Sequence, residues 1–160
     1  MDPSRRKILP QGALLSALAD ARRRGARVAF TNGCFDLLHA GHVHYLYEAK
    51  RHGDVLVVGL NSDASVARLK GARRPLVPAE ERAELLAALE MVDFVTVFDT
   101  DTPLDLIRAV APDVLIKGAD WAPEHVVGRA EVEAHGGRVV LAPVRPGLST
   151  TDLVERIRSR

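Results

Sequence analysis

The run Thr31-Asn32-Gly33-Cys34-Phe35-Asp36-Leu37-Leu38-His39-Ala40-Gly41-His42 carries the strongest chemical signal in this chain. It begins at the end of an apolar, strand-like segment and finishes where a helix opens. Positions i and i+3 share one face of a helix, so the imidazoles of His39 and His42 can reach a single anion. Gly41 leaves the backbone open to close approach, and the free N–H groups and dipole of a helix start favour negative charge. This arrangement suits the phosphates of a nucleotide. Two plainer readings stand beside it: a pair of ordinary helix-opening histidines, and a metal site built from Cys34, His39, His42 and His44. His44 falls elsewhere on the helix and no second Cys/His cluster completes a tetrahedral shell, so we expect no metal held by the protein.

A second candidate is Ser149-Thr150-Thr151-Asp152 before the last helix. Ser149 and Asp152 have the spacing of a capping box, and that alone explains them. The adjacent threonines add hydroxyl donors where free N–H groups already favour an anion, so capping and phosphate binding can share the site. Among the cations, Lys117 closes an apolar strand and precedes Gly118; its burial without an anion would be costly. Lys70 reads as a cation on a mobile loop, and solvated loop lysine is an equal alternative. Arg73, Arg74 and Arg82 are further isolated cations. The carboxylates Asp36, Asp63 and Asp120 each follow a strand end, where they would hold sugar hydroxyls or position Mg²⁺ through water, or only build a turn. Asn61 occupies a similar place.

These residues need a scaffold that brings them together. Ala13, Leu14, Leu15, Leu18 and Ala21 form a helical stripe ending at Gly25. Residues 27–31, 54–60, 94–98, 113–117 and 138–142 read as buried strands. Between them the spacing predicts helices from about 41 to 53, 80 to 89 and 103 to 110, broken helical turns over 124–135, and a last helix over 150–157. The segment after Asp63 reads as a loop up to Pro78. Strands alternating with helices give an α/β fold: one doubly wound domain with a five-stranded parallel sheet, whose ligands sit beyond the carboxyl ends of the strands. We expect a single domain over 1–160, with residues 1–10 as a loose N-terminal arm.

Composition narrows the function classes. The chain is 47% hydrophobic and 27% charged with a net charge of +1, which argues against wholesale binding to nucleic acid or an anionic membrane. Aromatic residues at 4% leave few platforms for stacking single strands. Cys34 is the only cysteine, so no intrachain disulfide forms and a reducing interior fits. The basic N-terminus lacks a continuous apolar stretch, and no apolar run is long enough for a bilayer. A cytoplasmic location follows by elimination. The chain contains neither a P-loop nor a Gly-x-Gly-x-x-Gly after the first strand.

Residues 32–42 match the G-x-F-D-x-x-H-x-G-H signature of the cytidylyltransferase-like nucleotidyltransferases, and Ser149-Thr150-Thr151 resembles their second phosphate-binding motif. The segments Val58–Val66, Leu69-Lys70-Gly71 with Arg74-Pro75, and Ile116-Lys117-Gly118-Ala119-Asp120-Trp121 narrow the resemblance to the adenylyltransferases that make ADP-heptose. The resemblance covers residues 7 to 158 and implies a Rossmann-like nucleotidyltransferase fold. It implies transfer of AMP from ATP to D-glycero-β-D-manno-heptose 1-phosphate for lipopolysaccharide core or related glycan synthesis, with Mg²⁺ carried by the nucleotide. Transfer of CMP to glycerol 3-phosphate or a similar alcohol phosphate remains the alternative within enzymes, and a non-catalytic nucleotide-binding regulatory module the alternative outside them.

The roles carried over are specific. His39, His42 and Lys117 serve the α- and β-phosphates, and Lys70 assists the transition state. Thr31, Asn32, Gly33, Cys34, Phe35, Gly118 and Asp120 contact the nucleotide, while Ser149 and Thr150 hold its outer phosphates. Asp36, Asn61, Asp63 and Arg74, with Lys70, face the sugar phosphate. Family members often carry a ribokinase-type sugar kinase ahead of this domain; its absence here implies a separate heptose kinase as pathway partner. A homodimer is a further implication. Arg145-Pro146-Gly147 departs from the family pattern just before Ser149.

Overall fold

The computed structural model describes residues 3–143, 147 and 149–159. Its frame is a five-stranded, all-parallel sheet in the order β3-β2-β1-β4-β5: β1 Val28–Gly33, β2 Val55–Asn61, β3 Phe94–Phe98, β4 Val114–Gly118 and β5 Arg138–Ala142. The α/β expectation holds, with a sheet whose central strands are apolar on both faces because helices cover both.

Alternation along β1 shows how the layers divide. Val28 and Phe30 join Val57 and Leu115 on one face, packed against Leu14 and Leu18 of α1 (Gln11–Arg23), Ile107 and Val110 of α5 (Leu104–Val110) and Val132 of α6 (Arg129–Ala134). Ala29 points the other way with Leu56, Val58 and Ile116, against Leu46 and Ala49 of α2 (Ala40–Lys50) and Leu86 and Ala87 of α4 (Ala79–Ala87). Leu14, Leu18, Leu46 and Leu86 are fully buried, each contributing about 1.5–3 kcal/mol from burial. The last helix, α7 (Thr150–Arg158), buries no residue completely.

Two expectations change. The segment after Asn61, expected as a loop, forms a helix, α3 (Asp63–Lys70). The Ser62 hydroxyl caps it by accepting from Ser65 N–H, and Gly71 at φ +97° ends it, a conformation side chains resist. Only Ser65 and Val66 are buried, so the helix lacks the apolar stripe by which helices are recognised. Residues 3–9, expected as a loose arm, are tied down. They form a short 3-10 helix (Pro3–Lys7), Ile8 bridges Val95 in parallel, and the Lys7 ammonium donates to the Leu89 and Val92 carbonyls at 3.1 and 2.8 Å. The arm thereby covers part of the β3 edge. Among the described residues, no helix is long and apolar enough to cross a membrane.

Candidate active site

The strand order reverses between β1 and β4, and there the sheet opens. β1 pairs with β2 as far as Gly33↔Leu60, and β4 with β5 as far as Gly118↔Ala142. Between β1 and β4, pairing stops at Phe30↔Leu115. Their carboxyl ends part, making the crevice in which open α/β sheets bind ligands. A cavity of about 660 Å³ occupies it.

Most of the residues expected at the site line this one cavity: Asn32, Gly33, Cys34, Phe35, Asp36, His39, His42, Asn61, Lys70, Lys117, Gly118, Asp120, Ser149 and Thr150. They come from the ends of β1, β2 and β4 and the turns after them, the starts of α2 and α7, and the end of α3. Thr31, Asp63 and Arg74 do not. Thr31 is fully buried with its hydroxyl 2.7 Å from the Tyr45 hydroxyl. Asp63 accepts from the Arg82 guanidinium at 2.7 Å and from Ala79 N–H at 2.8 Å. Arg74 pairs with Asp36 at 2.6 Å. Arg145 and Pro146 lie outside the described residues.

His39 is the N-cap of α2: its Nδ1 accepts from Gly41 N–H at 3.1 Å, which leaves Nε2 to carry the proton in the neutral ring. The rings of His39 and His42 stack with centroids 3.9 Å apart, and Phe35 tilts against His42 at 5.1 Å. Burial, then the neighbouring His39 and Lys70, push the His42 imidazole from its ordinary 6.5 to about 4. Burial also lowers His39. Both rings are neutral at pH 7, each with one N–H to donate. His42 Nδ1 is buried without a hydrogen-bond partner among the described residues.

The turn before α2 is held tightly. Phe35 sits at φ +45°, and a Cβ on Gly33 would lie 3.0 Å from the Phe35 ring, so a larger residue there would have to push the ring aside by a few tenths of an ångström. Arg82 fixes this turn from below. Its guanidinium is completely buried and donates to the carbonyls of Cys34 at 2.5 Å, Asn61 at 2.9 Å and Val77 at 2.8 Å, besides Asp63. Expected only as an isolated cation, Arg82 joins the ends of β1 and β2 to the segment before α4.

Asp36 belongs to the same framework. Its carboxylate is 2% exposed and accepts from Leu76 N–H, Val77 N–H and Arg74. Burial alone would raise it, but the Val77 and Leu76 donors and the guanidinium together hold it below the ordinary carboxylate range. An oxygen pair so occupied anchors the 74–77 segment and has little capacity left for a sugar phosphate.

Lys117 is the opposite case. Its ammonium is buried, donates to Asn32 Oδ1 and lies 5.7 Å from the Trp121 ring centroid, with no carboxylate paired to it among the described residues. Burial lowers it from 10.5 to about 8. A buried cation facing neutral partners favours an incoming anion. Cys34 nearby is raised by burial, so it stands as a thiol and no nucleophile.

Lys70 is the last residue of α3 and exposed, so it stands on a helix end rather than within a mobile loop. Ser149 Oγ accepts from Asp152 N–H at 3.0 Å, as the capping-box spacing predicts, and Ser149, Thr150 and Thr151 line the same cavity as the histidines. The apolar part of the wall comes from Leu69, Pro103, Trp121 and Val127. Tyr45, Asp101 and Thr102 also line it and were not singled out from sequence. Asp101 to Pro103 follow β3 directly, and the rule that ligands gather past strand ends was the signal available for them.

Among the described residues no group of three or more His, Cys, Asp or Glu side chains could hold a metal ion. Mg²⁺ keeps most of its waters and binds through phosphates with one or two carboxylates. The cavity fits a cation arriving on a polyphosphate, with Asp120 as a carboxylate available on its wall.

A sequence model of the cytidylyltransferase-like family matches residues 30–156. The chain belongs to that family. Cytidylyltransferase-like proteins similar to it include the bifunctional protein HldE of Syntrophotalea carbinolica, 57% identical over 154 residues, and that of Geotalea uraniireducens, 58% identical over 153 residues. Each alignment covers 96% of this chain and 31% of the relative, so the chain spans about a third of the length of the curated relatives it matches. The crystal structure of a lipopolysaccharide core biosynthesis protein from Thermoplasma volcanium superposes with a TM-score of 0.62 at 30% identity, over 76% of this chain and 98% of that one. The HxGH turn and residues 149–151 of this cytidylyltransferase-like chain line one cavity.

Proposed function

We propose that this chain is a nucleotidyltransferase that joins AMP from ATP to a sugar 1-phosphate, D-glycero-β-D-manno-heptose 1-phosphate, giving ADP-heptose and pyrophosphate. The observation that carries this reading is the convergence of His39, His42, Lys117, Lys70 and the α7 N-terminus on one cavity. Similarity to HldE over nearly the whole chain supports the choice of substrate.

The sugar phosphate oxygen attacks the α-phosphorus in line, and the bond from that phosphorus to the β-bridging oxygen breaks. The electron pair leaves with pyrophosphate. A sugar phosphate is already anionic near neutral pH, so no strong general base is needed; catalysis rests on position and on charge neutralisation. His39 and His42 donate from neutral rings to the α- and β-phosphate oxygens, and Lys117 supplies the buried positive charge. Ser149 and Thr150 hold the outer phosphates against the free N–H groups of α7, where the dipole favours them. Lys70, exposed at the end of α3, adds a further positive charge to the same cavity. Asp120 would help to hold a Mg²⁺ arriving on the triphosphate, which would supply further neutralisation of phosphate charge.

The apolar wall of Leu69, Pro103, Trp121 and Val127 suits a base and ribose. An upstream kinase must supply the anomeric phosphate. Both substrates are soluble anions, and we place the enzyme in the cytoplasm. The test is release of pyrophosphate from ATP or CTP in the presence of heptose 1-phosphate or glycerol 3-phosphate. ATP with heptose 1-phosphate is the expected productive pair; preference for CTP with glycerol 3-phosphate would replace this reading.

A further inference from the structure

We propose that the Tyr45 hydroxyl is a positioning group: it sets the width of the opening between β1 and β4, and so fixes Asn32 and Lys117 for the phosphates. The proposal deepens the transfer reaction above and rests on it for its kinetic arm alone. The argument begins where backbone pairing between the two strands ends, at Phe30↔Leu115. In the same register, the next two positions would set Thr31 against Ile116 and Asn32 against Lys117. Side chains take over at both. Tyr45 of α2 donates to the Ile116 carbonyl at 3.2 Å and sits 2.7 Å from the Thr31 hydroxyl. Because the tyrosine has one proton and gives it to Ile116, the Thr31 hydroxyl must donate to Tyr45. One step further out, Lys117 donates to Asn32 Oδ1.

The strands are thus separated by a phenol bridge and then by the ammonium–amide pair. Without the bridge, two buried polar groups, the Ile116 carbonyl and the Thr31 hydroxyl, lose their partners. The least costly response is for the strand ends to move until they find others, and that displaces Lys117. Burial raises the Tyr45 hydroxyl to about 12, so it stays protonated throughout the working range and acts as a fixed donor, not an acid or base. Besides Tyr45, the titratable groups sharing the cavity with Lys117 are Cys34 and Asp36 on the turn after β1, Asp101 past β3, Asp120 past β4, Lys70 at the end of α3, and His39 and His42 at the start of α2.

The experiment compares wild type, Tyr45→Phe and Thr31→Val. Lys7, Lys50, Lys70 and Lys117 are the lysines of the chain, so ¹³C-labelled lysine gives an NMR titration in which Lys117 can be followed directly. Expected is a rise of the Lys117 midpoint by half a pH unit or more in Tyr45→Phe, and a smaller rise in Thr31→Val, which keeps the bond to Ile116. In pyrophosphate release with ATP, kcat falls about tenfold in Tyr45→Phe while KM for ATP moves less than threefold. A merely structural role predicts a lower melting temperature with the Lys117 midpoint unmoved and kcat within twofold; that outcome overturns the proposal. Should Tyr45→Phe fail to fold, an unmoved midpoint in Thr31→Val overturns it equally. If wild type transfers nothing to any acceptor, the transfer reaction fails while the NMR titration still decides on Tyr45.

Discussion

Replacing Lys117 by methionine separates the cost of a buried charge from its use. The folded protein holds this ammonium at about 8 against an ordinary 10.5, which corresponds to about 3 kcal/mol against the charged form. The unfolded chain binds more protons than the folded one between those values, so stability rises with pH through that window and the full cost applies at pH 7. Lys117→Met removes the charge and keeps a flexible apolar side chain of similar length. Asn32 Oδ1, freed by the change, faces the open cavity and is rehydrated. The ligand-free protein should therefore gain about 1–3 kcal/mol, since the lost contact with Trp121 offsets part of the benefit. For a chain of this size that is a rise of roughly 2–10 °C in melting temperature. Transfer should fall about 10²–10³-fold, the scale of one lost charge-stabilising donor. Thermal unfolding at pH 7 without nucleotide and pyrophosphate release with ATP measure the two effects. A variant that melts well below wild type would refute the stored cost, and one that turns over normally would refute its use.

Other outcomes follow from the same geometry. His42→Ala should lower turnover by two or more orders of magnitude with the fold retained by circular dichroism; wild-type-like turnover would remove its assigned role. Because His42 is held at about 4 against 6.5 when unfolded, its contribution to stability is complete above pH 6.5 and is lost as pH falls toward 4. Urea midpoints across that range should fall less steeply in His42→Gln than in wild type. Arg82→Met should cost about 2–4 kcal/mol in urea unfolding, because it strands three carbonyls; a loss under 0.5 kcal/mol would contradict the clamp. Asp36→Asn should loosen the 74–77 segment, seen as faster amide exchange at Leu76 and Val77, with KM for the sugar phosphate changed less than activity overall.

What the sequence disclosed divides along physical lines. Strands such as Val55–Asn61 and Val114–Gly118 were legible because burial on both faces leaves an unbroken apolar run. The cavity-lining groups were legible because helix starts and strand ends leave local marks: His39 and His42 on one helical face, Ser149 at a cap, Lys117 closing an apolar strand. Helix α3 was not, since it buries Ser65 and Val66 alone and its marks are only the Ser62 cap and Gly71. Asp36, Asp63 and Arg74 were assigned to the sugar phosphate and Arg82 only as an isolated cation, yet they pair with one another and with backbone across gaps of 19 to 48 residues. Such pairings have no local signature. The Thr31–Tyr45–Ile116 bridge is hidden for the same reason, being defined by where two strands cease to pair.

Pyrophosphate release from ATP, with D-glycero-β-D-manno-heptose 1-phosphate as acceptor and Mg²⁺ present, tests the central claim most directly. The account predicts one pyrophosphate and one ADP-heptose for each acceptor consumed, with CTP and glycerol 3-phosphate poor substitutes. Tight ATP binding without pyrophosphate from any acceptor would contradict it.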